Sequence, residues 1–211
     1  IIADFFVHRD GADFLLETPT KFSADFHKRL RMYRLRAPIE ITETPLNVYA
    51  IWDGEGDEGV ADPRLPALGR RLITAETLDT MGDYDAHRLS LGVPDSAWDF
   101  ETATTFPADV NMDLLNGVNF SKGCFVGQEV VSRMKRMTTV KKRFRGLILS
   151  GDANPSDRVM AGTRVVGDIV HVHGNMGMAM IRLDRVRAAE VDPTVNDAPV
   201  QIMNAVDGLD H

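Results

Sequence analysis

Beyond Val140, glycines at short intervals divide the sequence into apolar runs of four to six residues. Val and Ile are frequent in these runs, and such runs bounded by turn residues are typical of short β-strands. Several of them in succession predict a small antiparallel β-barrel. The predicted strands are 144–149, 163–166, 168–173, 176–181 and 200–203, and the glycines that punctuate them are Gly151, Gly162, Gly167, Gly174 and Gly177.

The residues before the barrel alternate between strand and helix patterns. Apolar runs at 4–7 and 13–16, on either side of Gly11, predict a β-hairpin. Between Ser23 and Leu35 apolar residues recur every three or four positions, which predicts an amphipathic helix. The mixture predicts an α+β fold with a domain boundary near Val140. Extended segments are also predicted at 39–41 and 47–52, helical segments at 79–91 and from Val126 to about Met137, and a short helix or turn at 107–117.

Composition and charge exclude some classes of function. With 211 residues, of which 44% are hydrophobic, the chain can bury a sizeable core. Its net charge of -7 disfavours general binding to nucleic acids and anionic membranes. No apolar run approaches the roughly 20 residues of a membrane-spanning helix, so we expect a cytoplasmic protein without a membrane partner. Because the chain opens at Ile1 in strand-like sequence, we expect that an upstream segment, including part of the first domain, is absent.

A glycine-rich run at 54–59 has the GxGxxG spacing of dinucleotide-binding loops. A pyrophosphate site needs a helix N-terminus with open amides, and the acidic residues Glu55, Asp57 and Glu58 would repel the phosphates. Pro63 follows soon after and disfavours a helix there. We therefore predict an acidic surface loop, with weak calcium binding as the alternative.

The sequence KGCFVGQE at 122–129 concentrates groups that can do chemistry. Its cysteine, Cys124, is the chain's only one, so the chain forms no internal disulfide and no multi-cysteine metal cage of its own. Lys122 and the amides at the start of the helix that follows both favour the thiolate form of Cys124. Gln128 can pair with the amide edge of a heterocycle, and Glu129 can accept from an amine. On these residues alone, a buried structural cysteine between two glycine turns explains the pattern equally well.

The longer run NGVNFSKGCFVGQEVVSR at 116–133 resembles the signature of the YgfZ-type folate-binding proteins. In that family KGC is followed by an aromatic residue, any residue and GQE, and Phe125 occupies the aromatic position here. The segment at 107–115 and the run MGMAMIRLD at 176–184 also resemble the family. The resemblance therefore covers most of the chain.

The resemblance implies a fold related to the aminomethyltransferase of the glycine cleavage system. Residues 1–139 would form an aminomethyltransferase-like folate-binding region, with an incomplete N-terminal part, and residues 140–211 the barrel. Tetrahydrofolate would bind in a central cavity. The protein would support assembly or repair of iron–sulfur proteins and, through them, tRNA modification, with folate and iron–sulfur client or assembly proteins as partners. The family motif carries over to Cys124 and Lys122 as the reactive pair, and to Phe125, Gly127, Gln128 and Glu129 as folate-binding residues.

The chemical role of the motif is open at this stage. A thiolate at Cys124 can handle a one-carbon unit, ligate a transient cluster together with a partner, or act as a redox-sensitive contact. The aminomethyltransferase carries adjacent aspartates in a strand near its first hairpin, whereas this chain has Ala3 beside Asp4. We therefore expect a binding and maturation factor rather than a conventional enzyme, with a folate-dependent aminomethyl transferase as the alternative.

Four further residues have both a functional and a structural interpretation. Arg88 and Trp98 are candidates for lining a pteridine pocket, through charge and through stacking.

His171 and His173 would share one face of a strand, which suits two metal ligands. Because no third ligand is evident nearby, we expect ordinary histidines on the barrel surface and no metal site.

The methionines and the basic residues near the barrel are the last candidates. Met176, Met178 and Met180 share a strand face and are expected in the barrel core.

A basic run at the entry to the barrel is expected to be a solvated face. The alternative is an anionic partner: the polyglutamate tail of folate, an acidic protein surface or, as the weakest reading, tRNA. The basic residues are Arg133, Lys135, Arg136, Lys141, Lys142, Arg143 and Arg145.

Overall fold

The computed structural model of the protein describes residues 1–54, 56–124, 127–136 and 140–204. The helices are α1 (Thr20–Tyr33), α2 (Tyr84–Ser90), α3 (Gln128–Arg136) and α4 (Leu183–Arg187). The strands before α3 are β1 (Phe6–Asp10), β2 (Asp13–Glu17), β3 (Asn47–Ile51), β4 (Val60–Ala61) and β5 (Arg70–Thr74). The strands after α3 are β6 (Lys142–Leu149), β7 (Arg158–Ala161), β8 (Arg164–His173), β9 (Met176–Arg182), β10 (Pro193–Val195) and β11 (Ala198–Ile202). None of the helices among these residues is long and apolar enough to cross a membrane.

The last six strands close into an antiparallel barrel in the order β10, β11, β6, β9, β8, β7. This confirms the small antiparallel barrel predicted from the sequence. The two segments predicted at 163–166 and 168–173 are one strand, β8, and Gly167 lies inside it. A Cβ at Gly167 would lie 2.5 Å from Ile181 Cδ1 and 2.8 Å from the Met180 carbonyl oxygen. The glycine therefore allows β9 to approach closely instead of ending the strand.

The barrel interior is filled by aliphatic side chains that alternate along each strand. Leu147 and Leu149 of β6 and Ile181 of β9 belong to this buried cluster. Met178, by contrast, packs outside it, in a second cluster with Leu89 that lies between the barrel and the preceding region. The expectation that Met176, Met178 and Met180 belong to the barrel core was therefore wrong. Strand alternation places Ala179 and Ile181 inside the barrel and turns the methionines to its outer face.

Before the barrel, β1 and β2 form the predicted hairpin, and α1 follows it as predicted. The second sheet has the order β3, β5, β4. No strand forms at 39–41, where one was predicted. The helix predicted at 79–91 begins only at Tyr84, because Asp83 caps it by accepting from the Ala86 amide at 3.0 Å. The segment at 107–116 consists of turns and packs on the start of β6 through the hydrogen bond from the Phe144 amide to the Asp109 carbonyl.

An ion-pair network joins the hairpin to the second sheet. Arg71 of β5 pairs with Glu17 of β2 and with Asp62. Arg64 donates to both carboxylate oxygens of Asp62, at 3.0 and 2.7 Å. Both guanidinium groups lie over the ring of Phe6, at 4.3 Å for Arg71 and 4.9 Å for Arg64. Charge and cation–π contacts thus join the hairpin to the second sheet.

The glycine-rich run at 54–59 has no helix behind it. Arg70 instead donates to three carbonyl oxygens of this run, those of Asp57, Glu58 and Gly59, at 2.7–2.8 Å. Carbonyl groups that point inward leave no amide cradle for a phosphate. The described part of the run is therefore a surface loop, as predicted, and Glu55 lies outside the described residues.

Candidate functional site

The cysteine motif lies on the surface, in the turn that leads into α3. Asn119 Oδ1 accepts from the backbone amides of Ser121 and Lys122, at 2.8 and 3.2 Å, and so shapes the turn. Cys124 is exposed. Phe125, predicted to bind folate, lies outside the described residues. The turn therefore presents the thiol at the protein surface rather than inside a packed core.

The second half of the motif begins the helix. Gly127 has a φ of +86°, a left-handed conformation that suits glycine and turns the chain into α3. Gln128 is the first residue of α3 and is half-buried, while Glu129 is exposed in the first turn. Glu129 lies at the positive end of the helix dipole, where a carboxylate is stabilised. Sequence analysis thus located this part of the motif correctly at a helix start.

A small cavity lies behind α3, between Val131 and the turns that contain Pro107 and Val118. Its volume is about 30 Å³, enough for a water molecule or two, whereas pockets for ligands of drug size measure roughly 300–1,000 Å³. Phe120, four residues before Cys124, is part of its wall. This cavity is too small to hold a folate.

Arg88 lies apart from the motif, in the interior of the protein. It is 0% exposed. Its guanidinium donates to Asp85 at 2.8 Å, to Asp99 at 3.2 Å and to the Val93 carbonyl at 3.2 Å. Burial opposes the positive charge, but the carboxylates of Asp99 and Asp85 outweigh it and raise the pKa of Arg88. The arginine proposed for a pteridine pocket is thus surrounded by protein partners.

Trp98, the other residue proposed for stacking, is 61% exposed. Its loop is held by Asp95, which accepts from the Ala97 amide at 2.7 Å, and by Asp99, which accepts from the Asp95 amide at 2.7 Å. The ring of His171 on β8 lies 6.0 Å away. Trp98 is therefore an exposed aromatic ring on a hydrogen-bonded loop where the barrel meets the preceding region.

The two histidines of β8 connect the barrel to α2. His171 Nε2 lies 2.7 Å from Asp85 Oδ2, and His173 Nε2 lies 2.6 Å from Asp83 Oδ2. Asp85 therefore lies between His171 and the buried Arg88. Among the described residues, no group of three or more His, Cys, Asp or Glu side chains is placed to hold a metal ion.

The basic run at the barrel entry is only partly a solvated face. Arg143 and Arg145 are buried, because strand alternation turns them to the same face of β6 as Leu147. Arg143 makes a bidentate pair with Asp113, both distances being 2.7 Å. Lys142 stays half-exposed and pairs with Asp109 at 3.1 Å. The expectation of a continuous solvated face was therefore wrong for these two arginines.

Asp4 is a candidate functional residue that spacing alone did not single out. It precedes β1 and is half-buried. Burial raises the pKa of Asp4, and the negative charge of Asp95 adds to the shift. A carboxyl group with a raised pKa is suited to proton transfer. The only sequence signal was its position beside Ala3 in the strand-like start of the chain.

Known proteins are similar both to the barrel and to the greater part of the chain. Residues 135–204 match the family described as the CAF17 C-terminal β-barrel domain. The chain is 28% identical to the mitochondrial iron–sulfur cluster assembly factor IBA57 of Homo sapiens, over 85% of this chain and 59% of that protein. It is 31% identical to the IBA57 homologue of Mycosarcoma maydis, over 68% of this chain and 42% of that protein.

These relatives are longer than the chain, which spans 42–59% of their length. Their names include "mitochondrial", as does that of the mouse IBA57, 27% identical over 84% of this chain. The expectation of a cytoplasmic protein is contradicted by these names, which point to mitochondria. The cytoplasmic location was inferred from the absence of a long apolar run, and that absence carries no information about the compartment.

The match to the barrel domain covers the strands that β-periodicity and glycines had predicted. These comparisons do not distinguish the YgfZ-type proteins from their relatives. The assignment to the YgfZ-type proteins and the aminomethyltransferase-like fold therefore both stay predictions. The C-terminal part of this chain is a β-barrel of the type found in CAF17, and the homologues of the chain are iron–sulfur cluster assembly factors of the IBA57 kind.

Proposed function

We propose that the protein supports iron–sulfur cluster assembly by presenting Cys124 to a partner protein, and that it binds tetrahydrofolate. The observation that carries the proposal is the exposed Cys124 thiol in the turn before α3. It occurs in a chain whose relatives are named as iron–sulfur cluster assembly factors. An effect on tRNA modification would follow indirectly, through iron–sulfur enzymes that modify tRNA.

The number of available ligands defines the role of Cys124. Protein-bound iron–sulfur clusters are usually held by four ligands, most often cysteine thiolates. The chain has one cysteine, and its described residues contain no cluster of metal-binding side chains. Cys124 therefore supplies one ligand, and a partner supplies the others. The cluster is then a cargo shared by two proteins.

The surroundings of Cys124 favour such a transient role. The thiol is exposed, and the exposed Lys122 lies two residues before it in the same turn. The thiolate is the form of cysteine that ligates iron. An exposed ligand can be approached and released by a partner, whereas a buried one cannot.

The test is the Cys124→Ser variant of the full-length protein in cells that lack the natural gene. We expect normal protein levels and loss of activity in dependent iron–sulfur enzymes, because a serine hydroxyl is a poor ligand for iron. The matched control moves the thiol by three residues, as Ser121→Cys combined with Cys124→Ser, since Ser121 is exposed in the same turn. Full enzyme activity in cells that carry only Cys124→Ser would remove the proposed role.

Folate binding is tested separately, by calorimetric titration of the full-length protein with tetrahydrofolate. Trp98 offers an exposed ring for stacking, and alanine replacement of a stacking aromatic costs about 1–3 kcal/mol per ring in nucleic-acid complexes. We therefore expect the Trp98→Ala variant to bind at least about fivefold more weakly. Phe14→Ala is the matched control, because Phe14 is similarly exposed on the β1–β2 hairpin. Equal affinities for all three proteins would exclude Trp98 as a stacking group, and no heat of binding would exclude folate.

The second candidate function, a folate-dependent aminomethyl transferase, is favoured by Asp4. Its half-buried carboxyl group has a raised pKa and lies just before β1, in the stretch that corresponds to the catalytic strand of the aminomethyltransferase and keeps one of its two aspartates. Proton transfer from Asp4 to the amine of the aminomethyl donor would assist release of that amine. The test is formation of a one-carbon tetrahydrofolate derivative from an aminomethyl donor. Product that depends on Asp4, and is lost in Asp4→Asn, would favour the enzyme, and folate binding without product would favour the maturation factor.

A further inference from the structure

Helix α1 ends in a segment whose side chains all lie in solvent. The inner face of the helix is buried at Phe26 and half-buried at Leu30. From residue 31 to residue 40, ten consecutive positions are then exposed, and we call this segment the α1 tip. Single exposed apolar residues are ordinary on a protein surface, but a group of them marks a surface that contacts another molecule. The tip has four large apolar residues, each at least 55% exposed: Met32, Tyr33, Leu35 and Ile39.

The α1 tip is a hydrogen-bonded turn. The Arg34 amide donates to the Leu30 carbonyl at 2.9 Å, and the Ala37 amide donates to the Arg34 carbonyl at 3.0 Å. The Arg34 guanidinium donates to the Ile39 carbonyl at 3.1 Å. These bonds close the chain over the end of the helix, with Leu35 inside the turn. The tip therefore presents its apolar side chains from a defined backbone.

Leu35 occupies a position at which glycine is the usual residue. It follows the helix C-cap, Arg34, and its φ is +50°, in the left-handed region. Helices commonly end in this conformation, and glycine is preferred there because a Cβ is unfavourable. Leu35 therefore strains the backbone and also leaves 82% of its surface exposed. The fold of the chain gains nothing from a leucine here, whereas contact with an apolar layer would.

The charge around these apolar residues is opposite to that of the whole chain. Residues 26–39 contain five Lys or Arg residues and no Asp or Glu, in a chain whose net charge is -7. Basic residues in the last turn of a helix stabilise its dipole, but the dipole does not account for the apolar side chains between them. Positive charge combined with exposed apolar surface is how proteins bind anionic lipid surfaces. The five residues are Lys28, Arg29, Arg31, Arg34 and Arg36.

We propose that the α1 tip docks the protein on an anionic phospholipid surface, with Leu35 and its apolar neighbours at the acyl chains and the arginines at lipid phosphates. Arginine side chains lie along an apolar layer while their guanidinium groups stay at its polar edge. An acidic protein groove would need a carboxylate placed for each arginine, whereas a lipid layer offers mobile phosphates at every position. RNA fits less well, because Tyr33 is the single aromatic ring of the tip and base stacking is a main source of affinity for single strands.

The net charge of the chain gave no reason to expect a membrane partner, but local charge decides such binding. At physiological ionic strength, exposed charges more than about 8 Å apart are largely screened from one another. The field at the α1 tip is therefore set by its own arginines rather than by acidic residues elsewhere. The contact is peripheral and requires no membrane-spanning helix. It involves neither Cys124 nor folate, so its test is independent of the proposed function.

The experiment measures co-sedimentation of the protein with vesicles of phosphatidylcholine, either pure or containing roughly a third of anionic phosphatidylglycerol. We expect binding to the anionic vesicles only. Leu35→Gly should weaken this binding about tenfold, because burial of a leucine side chain contributes at least that factor. The same variant should resist urea as well as the original protein does, since glycine relieves the left-handed backbone. Val191→Gly is the matched control, because Val191 is an exposed apolar residue outside the tip, and it should leave binding unchanged.

The arginines are tested by Arg31→Gln combined with Arg36→Gln. This variant should bind anionic vesicles roughly 25-fold more weakly, because each basic residue near such a surface contributes about fivefold. Its control, Arg164→Gln combined with Arg187→Gln, removes the same charge at two exposed positions after Val140. The control should bind as the original protein does.

The remaining outcomes overturn the inference. No binding to anionic vesicles would exclude a lipid surface and leave an acidic protein as the occupant. Equal binding to both kinds of vesicle would exclude a role for the arginines. Binding that Leu35→Gly leaves intact, and that single-stranded RNA displaces, would make nucleic acid the occupant. A dimer that Leu35→Gly dissociates, without vesicle binding, would make a second copy the occupant. Loss of urea resistance in Leu35→Gly would give Leu35 a structural role.

Discussion

The barrel and the region before it fill their interiors with different chemistry. In the barrel, Leu147, Ile169 and Ile181 belong to one continuous aliphatic cluster. In the preceding region the largest fully buried side chain is an arginine, Arg88, and the apolar cluster around Leu68 is small. Aliphatic packing needs only apolar residues on the right face, whereas a buried guanidinium needs acceptors at defined positions. The barrel should therefore tolerate conservative apolar changes, and the preceding region should not tolerate loss of single charges.

The largest effect is expected for Arg88→Met. Removing the guanidinium leaves the carboxylate of Asp99 buried without its partner, and breaking a buried ion pair in this way costs about 3–5 kcal/mol. Chemical denaturation followed by tryptophan fluorescence measures the free energy of unfolding of the region before the barrel. Both tryptophans, Trp52 and Trp98, lie in that region. The double variant Arg88→Met, Asp99→Leu should recover part of the loss, since it removes the unpaired charge. A single variant as stable as the original protein would contradict a structural role for Arg88.

A somewhat smaller effect is expected for Leu147→Ala in the barrel. Leu147 is fully buried, and leucine-to-alanine changes in cores cost about 2–5 kcal/mol, depending on how far the cavity collapses. Leu147→Met, which conserves volume, is the matched control and should cost less than about 1.5 kcal/mol. If the barrel unfolds independently, circular dichroism will shift in Leu147→Ala while tryptophan fluorescence will not. Coincident shifts of both signals would show that the two regions unfold as one unit.

Sequence periodicity revealed the barrel because its strands obey local rules. Alternating apolar residues and glycines predicted four of the six strands, with β8 divided in two. The strands β7 and β10 were missed because they contain only four and three residues, too few for an alternation to be recognised. The hairpin and α1 were also predicted from local patterns. The strand at 39–41 failed because strand formation requires a partner, which a local pattern does not supply.

The candidate site was predictable only where it is contiguous in sequence. The motif around Cys124 was correctly expected at a helix start, since its glycines and the following apolar spacing are local signals. The partners of Arg88 and His171 were not predicted. Asp99 lies 11 residues from Arg88, and Asp85 lies 86 residues from His171. Such pairs arise from tertiary packing, and the sequence around one residue of a pair does not identify the other.

A moderate effect is expected where the two regions meet, at the pair formed by His171 and Asp85. Both side chains are largely buried, and their polar atoms lie 2.7 Å apart. Replacing His171 with Leu removes this hydrogen bond and should cost about 1 kcal/mol. His173→Leu is the matched control, because His173 and Asp83 are far more exposed and exposed pairs contribute little. Equal effects of the two substitutions would show that burial does not distinguish the pairs.

The last two predictions concern the pH dependence of stability, and they separate two charges within the region before the barrel, Asp62 and Asp4. Burial opposes ionisation of Asp62, but the hydrogen bonds from Arg64 prevail and lower its pKa below the ordinary 3.8. A lowered folded-state pKa adds stability above the unfolded pKa, and this is lost as the pH falls through the folded value. Asp62→Asn should therefore destabilise the protein at pH 7, and the difference from the original protein should begin to shrink near pH 3.8 and vanish only below the lowered folded-state pKa.

Asp4→Asn should act in the opposite direction. Burial and the charge of Asp95 raise the pKa of Asp4 above 3.8, so the folded protein holds this proton more tightly than the unfolded chain does. Ionised Asp4 then lowers stability at pH 7, and the loss is relieved as the pH falls through the raised pKa. Asp4→Asn should thus increase the free energy of unfolding at pH 7, with no gain in acid. Urea denaturation across this pH range measures both variants, and a destabilised Asp4→Asn protein at pH 7 would mean that the carboxylate is paired more favourably than its burial implies.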